Sequence, residues 1–166
     1  MGRVGKKYVL IIDDDVGMLR ALNRVLSGEG YMVANTSRAE AAVKYLSTDG
    51  GHYFDLIITD LRMPVIDGMG ILRTIKRAYP EKPVIIITAF GSPEMKREAY
   101  KLGATAFLEK PVDTERLLDT IDCAKERDTD GAIAIPHAEV EMIKSETADF
   151  KVKNAPISPQ GPHSEV

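Results

Sequence analysis

A chain of 166 residues with 44% hydrophobic and 28% charged residues is long enough for one domain with a proper core plus a modest extension. Its one cysteine, Cys123, excludes an intramolecular disulfide or a cysteine-based zinc site and suits a buried helix thiol. The net charge of −3 is uneven: residues 1–127 carry 19 Lys/Arg against 18 Asp/Glu, with no nucleic-acid footprint, and residues 128–166 carry 3 against 7, a tail that would repel nucleic acid or an anionic membrane.

Residues 1–7 lead into a short strand in place of a signal h-region, and no apolar run approaches the roughly 20 residues that span a bilayer. The expected compartment is the cytoplasm. Residues 8–12 form a continuous Val/Leu/Ile run, the pattern of a strand buried on both faces, and it ends at Asp13-Asp14-Asp15. Met18, Leu22, Val25 and Leu26 then recur at helical spacing as far as Gly28-Glu29-Gly30. A weaker second strand covers 31–35. Ser37 and Glu40 read as a capping box opening a helix through Leu46. Residues 49–53 read as a loop and 55–59 as a third strand, ended by Asp60. Residues 68–78 place Ile71, Leu72 and Ile75 at helical spacing and stop at Tyr79-Pro80. The fourth strand, 83–88, closes on Thr88. Ser92 followed by Pro93 has the form of an N-cap with proline at the first helical position, and Gly103 that of a C-terminal cap. Residues 106–109 are a fifth strand that runs into Lys110-Pro111, and Asp113 caps a last helix with Leu117, Leu118, Ile121 and Ala124 inward.

Beyond Arg127 the texture changes. The tail, 128–166, holds four of the nine prolines and no sustained periodicity, and reads as a flexible or loosely docked extension of a domain at 1–127. Within it residues 131–135 fit a short strand and 138–145 a short helix. The strand–helix alternation before it specifies an α/β fold: a flavodoxin-like, doubly wound, five-stranded parallel sheet of order 2-1-3-4-5, with five helices and right-handed crossovers. Strands one and three then flank the switch point, where such sheets bind ligands.

At that edge the strands deliver Asp13, Asp14 and Asp60, with Thr88 and Lys110 beside them. Any one of these residues alone reads as a cap or turn residue. Their joint placement at the same end of successive strands is what points to a site. Crowded carboxylates repel unless a cation neutralises them, and Mg²⁺ needs only one or two carboxylates plus waters and phosphate oxygens. A carboxylate is also a competent nucleophile toward phosphorus, and an ammonium and a hydroxyl suit the transferred phosphoryl group.

Residues 8–127 resemble the receiver domain of two-component response regulators. The residues that carry the resemblance are Ile12-Asp13-Asp14-Asp15, Thr59-Asp60-Leu61-Arg62-Met63-Pro64, Asp67-Gly68, Thr88-Ala89 and Lys110-Pro111. It implies that Asp60 accepts a phosphoryl group from a histidine kinase or phosphotransfer protein. It makes Asp14 the direct Mg²⁺ ligand, Asp13 an acidic-pocket residue acting through water, and Arg62 a metal ligand through its backbone carbonyl. Thr88 and Lys110 would hold the phosphoryl oxygens, with Lys110-Pro111 cis, and Ala89 would leave room for them. Asp15 has no role in the family and reads as a helix cap. Phe107 occupies the place of a switch aromatic, which turns inward as Thr88 moves toward the phosphate, altering the face of the fourth helix, fifth strand and fifth helix. Such a chain catalyses only its own phosphotransfer and autodephosphorylation, and a homodimer on phosphorylation is among the contacts the resemblance implies.

Two other chemistries fit parts of the pattern. Asp13-Asp14-Asp15 satisfies the Asp-x-Asp letters of haloacid dehalogenase-type phosphatases, but Asp60 and Lys110-Pro111 suit receivers better. A flavin or dinucleotide site lacks its glycine-rich loop after the first strand. The output is not legible: nothing after Arg127 resembles a helix-turn-helix or an ATPase, and the alternatives are a stand-alone receiver or a piece of a longer transcriptional activator.

Overall fold

The computed structural model describes residues 7–126 and 151–153. Strands and helices alternate: β1 (Tyr8–Ile12), α1 (Val16–Gly28), β2 (Met32–Thr36), α2 (Ala39–Leu46), β3 (Leu56–Thr59), α3 (Gly68–Ala78), β4 (Val84–Thr88), α4 (Pro93–Lys101), β5 (Ala106–Glu109) and α5 (Thr114–Glu126). The five strands pair in parallel in the order 2-1-3-4-5, as the alternation requires. A sixth strand, β6 (Lys151–Lys153), lies antiparallel on the β2 edge, with Ala34 opposite Val152. Nothing in the tail's sequence had marked it. The strand expected at 131–135 and the helix expected at 138–145 lie outside the described residues.

Side chains alternate across each strand, so the continuous apolar runs supply two cores. On one face Leu10, Ile12, Ile57 and Ile86 pack with α2 and α3 through Ala42, Leu46, Ile71, Leu72 and Ile75. On the other Val9, Ile11, Ile58, Ile85 and Ile87 pack with α1 and α5 through Leu22, Leu26, Leu117 and Ile121. Burying each of the Val, Leu and Ile side chains stabilises the fold by about 1.5–3 kcal/mol.

Most cap assignments agree with the sequence. Asp15 caps α1 by accepting from Gly17 N and Met18 N, and Ser92 caps α4 by accepting from Met95 N, with Pro93 at the first helical position. Asp113 accepts from Glu115 N at 3.0 Å, and Gly103, at φ +97°, takes the left-handed conformation that ends α4.

Four readings need correction. The capping box at Ser37 and Glu40 does not form: the helix begins later, Arg38 is its N-cap without a side-chain bond, and Thr36 Oγ accepts from Arg38 N instead. Residues Asp49–Tyr53 are a 3₁₀ turn, not an open loop, because Tyr79 organises them: its hydroxyl accepts from Gly51 N and donates to Thr48 O. On α1 the fully buried positions include Leu19 and Asn23, while Met18 and Val25 are half-buried. Cys123 is exposed. It lies two residues, or about 200° of helix rotation, from the inward Ile121.

Candidate functional site

Every charged group of the site sits where a strand ends. Asp60 N donates to Ile12 O at 2.9 Å and Asp13 N to Thr36 O at 3.2 Å, so the sheet ladder continues just far enough to hold both aspartates at one level. Lys110 N donates to Thr88 O at 2.8 Å, which carries the lysine across from β5. The Lys110-Pro111 peptide is cis, as the resemblance implied.

Asp13 and Asp60 are nearly buried, at 2% and 7% exposure, while Asp14 is exposed. Lys110 Nζ bridges the two buried carboxylates, 2.7 Å from Asp13 Oδ2 and 2.8 Å from Asp60 Oδ2. Asp13 Oδ1 accepts from Asp15 N at 2.9 Å, and Asp60 Oδ1 from Arg62 N at 3.1 Å. Burial pushes the Asp13 carboxyl above its ordinary value of 3.8, against the opposing pull of Lys110 and the Asp15 amide. Burial alone would lower Lys110, but hydrogen bonds and charge from Asp13 and Asp60 outweigh it and hold the ammonium above its ordinary 10.5. One ammonium therefore serves a pocket of three carboxylates.

One carboxylate oxygen each from Asp13, Asp14 and Asp60 lies within 4.8 Å of the other two. Such an all-oxygen, anionic donor set fits a small hard divalent cation. The sequence pattern brought these four side chains together correctly. Thr88, fully buried, lies at the end of the neighbouring β4, with Oγ1 accepting from Phe90 N at 3.3 Å. Phe107 is buried in β5, and Ala89 is exposed.

The structure assigns work to residues for which the sequence supplied no role. Asp67 caps α3 by accepting from Gly70 N at 2.7 Å. A Cβ at Gly68 would lie 2.0 Å from Asp60 O, so only glycine lets α3 start against the backbone of Asp60. Between them and Pro64, Val65 is held at φ 70° with Ile66 N donating to Pro64 O, a tight γ-turn that a β-branched residue adopts only under strain. Across the mouth, the Arg62 guanidinium stands 4.6 Å from the centroid of the Phe90 ring, which is 58% exposed. Neither partner signals that pairing in the sequence, because it depends on two loops meeting.

The comparisons agree with this geometry. The profile of the family described as "Response regulator receiver domain" matches residues 9–122. The chain belongs to that family. The receiver is 37% identical over 134 residues to the transcriptional regulatory protein ZraR of Salmonella typhimurium, a match covering 81% of this chain and 30% of ZraR. It is 33% identical over 155 residues to the transcriptional regulatory protein FixJ of Bradyrhizobium diazoefficiens, covering 93% of this chain and 70% of FixJ. Against some of its curated relatives the chain thus spans only about 30% of their length. Among solved structures, the receiver resembles a CheY-like receiver domain protein from Methanospirillum hungatei at TM-score 0.70 and 27% identity, covering 76% of this chain and all of that one. It also resembles a receiver domain from Clostridium thermocellum at TM-score 0.69 and 33% identity, covering 74% and 96%.

Proposed function

We propose that this receiver is a phosphorylation-controlled signalling switch. Asp60 takes a phosphoryl group from a phosphohistidine of a histidine kinase or phosphotransfer protein. The observation that carries the reading is the convergence of Lys110 Nζ on Asp60 and Asp13, within 2.8 Å of both, in a cluster that Asp14 completes. An oxygen of Asp60 attacks phosphorus, the N–P bond breaks as the O–P bond forms, and its electron pair stays on the leaving imidazole, which departs neutral with the proton already on its other ring nitrogen. Lys110 then pairs with a phosphoryl oxygen in place of one of its carboxylates, and the Thr88 hydroxyl donates to another. Asp14, Asp60 and the Arg62 carbonyl would hold Mg²⁺ directly, and Asp13 through water. When bound, the ion offsets the charge of the carboxylates and of the incoming phosphoryl oxygens.

Phosphorylation favours the state in which Thr88 approaches the phosphoryl group and the Phe107 ring turns inward into the space vacated, and it reshapes the face of α4, β5 and α5. A shift from mostly inactive to mostly active needs a differential of about 5.5 kcal/mol. The relatives' names point to transcription as the process controlled, through a target or further domain that this receiver engages by protein contact and not by binding nucleic acid itself. A homodimer formed on phosphorylation is one such contact. We place the domain boundary near residue 127, just past α5, and the work of the chain in the cytoplasm; no helix among the described residues is long and apolar enough to cross a membrane.

The test is stoichiometric labelling. Acetyl phosphate with Mg²⁺ should add one phosphoryl group per chain, and a generic phosphomonoester should show no sustained turnover. Sustained turnover that depends on Asp13 would replace the switch with a phosphatase.

A further inference from the structure

The loop between β4 and α4 contains a glycine whose missing side chain is matched by another residue's ring. A Cβ built at Gly91 would stand 2.7 Å from Phe107 Cε1, 3.0 Å from Phe107 Cζ and 3.6 Å from Thr88 Cγ2. Carbon atoms pack best about 3.5–4.0 Å apart, so the first contact is a hard overlap. The backbone does not explain the glycine, because the positive-φ glycines among the described residues are Gly30 and Gly103. What position 91 requires is the absence of a Cβ.

Phe107 cannot retreat by its backbone, which is held in the ladder opposite Ile86. The loop is tied at both ends, by Phe90 N donating to Thr88 Oγ1 at 3.3 Å and by Ser92 Oγ accepting from Met95 N at 3.2 Å. The remaining freedom is rotation of the ring out of its buried place, where Phe107 is only 4% exposed.

We propose that Gly91 is the positioning residue that makes the buried place of the Phe107 ring available, forming with the Thr88 methyl and that ring a single contact that couples residue 88 to the switch. This rests on the reading of Thr88 and Phe107 given above. A side chain at 91 favours the outward ring, and because linked equilibria are reciprocal it weakens occupancy of the phosphoryl site.

The experiment uses the full chain with fluorinated phenylalanine, the Phe107 resonance being assigned by its loss in Phe107→Leu. In Gly91→Ala the ¹⁹F resonance of Phe107 should move toward the solvent-exposed position without any phosphoryl mimic present. Titration with beryllofluoride and Mg²⁺ should show a half-saturation concentration raised about tenfold, the size of an ordinary overpacking penalty. In a Phe107→Ala background the same glycine substitution should change it less than about twofold, since the clash has no second party. An unmoved Phe107 resonance, or an equal effect in both backgrounds, overturns the proposal. If Gly91→Ala fails to fold, recovery of the fold by Phe107→Ala supports the clash and continued unfolding overturns it. Beryllofluoride failing to bind the wild type would remove the phosphoryl reading, whereas the ring resonance still judges Gly91 by itself.

Discussion

Replacing Asp13 by asparagine should stabilise the metal-free fold. At an effective dielectric of about 20, the attraction of Lys110 at 2.7 Å contributes about 6 kcal/mol, and each carboxylate repulsion at the 4.8 Å limit costs about 3.5 kcal/mol. Asp14 is exposed, so its share is screened, and the pairwise terms leave a net attraction of roughly 2–3 kcal/mol, less than the several kcal/mol that desolvating one ion costs. Desolvation decides the sign, because a carboxylate with 2% exposure has lost its water and burial is the leading cause of its raised pKa. Asparagine keeps an oxygen for the Asp15 amide, which Asp13 now satisfies at 2.9 Å. The expected gain is about 1–2 kcal/mol, seen as a urea midpoint raised by about 0.5–1 M at pH 7 without Mg²⁺. The pH dependence follows from the direction of the shift. A carboxyl raised above 3.8 in the folded state binds its proton more tightly there, so its penalty is present above the folded pKa and vanishes below 3.8. The gap between variant and wild type should close as pH falls through that folded pKa, and Mg²⁺ at pH 7 should narrow it. A variant less stable than wild type at pH 7, or a gap that widens in acid, refutes the reasoning.

Other substitutions probe separate parts of the account. Lys110→Ala strips the cation from two nearly buried carboxylates and should cost about 3 kcal/mol in urea without Mg²⁺, while still accepting phosphoryl groups but binding partners poorly; unchanged stability and unchanged partner binding would remove it from the site. Asn23→Leu should stabilise by about 1 kcal/mol in thermal unfolding, because Asn23 Nδ2 is buried in α1 without a hydrogen-bond partner among the described residues. Tyr79→Phe should destabilise by about 1–3 kcal/mol and speed hydrogen exchange at Gly51, whose amide now reaches the Tyr79 hydroxyl at 3.2 Å; unaltered exchange there would deny the tyrosine its role.

The sheet order and the carboxylate cluster were legible in the sequence because both follow from local pattern. Continuous Val/Ile runs define doubly buried strands, and a polar residue directly after such a run is fixed at the strand's end. The helix ends of α1 and α4 were legible for the same reason, since Asp15 and Ser92 bond only to amides within three residues. The misread features depend on contacts distant in sequence. Tyr79 folds residues 49–53 from 28 positions away, and Phe90 meets Arg62 across two loops. The Ser37 box fails for a local reason, since α2 begins at Ala39 with Arg38 at the N-cap, one residue later than the box requires. The exposure of Cys123 was in principle readable, because Leu117, Ile121 and Ala124 already define the inward stripe that it misses. Gly91 carries no signal of its own, and the Asp67-Gly68 motif marks a glycine without its reason: the need for a bare Cα arises from the ring of Phe107 and the backbone of Asp60.

The central claim is that Asp60, and neither carboxylate of the β1 terminus, carries the phosphoryl group. The most direct measurement is borohydride trapping of the chain phosphorylated by acetyl phosphate and Mg²⁺, followed by peptide mass mapping. Reduction of the acyl phosphate should leave homoserine at position 60 in the wild type and no reduced residue in Asp60→Asn. Homoserine at position 13 or 14, or labelling undiminished in Asp60→Asn, would contradict the account.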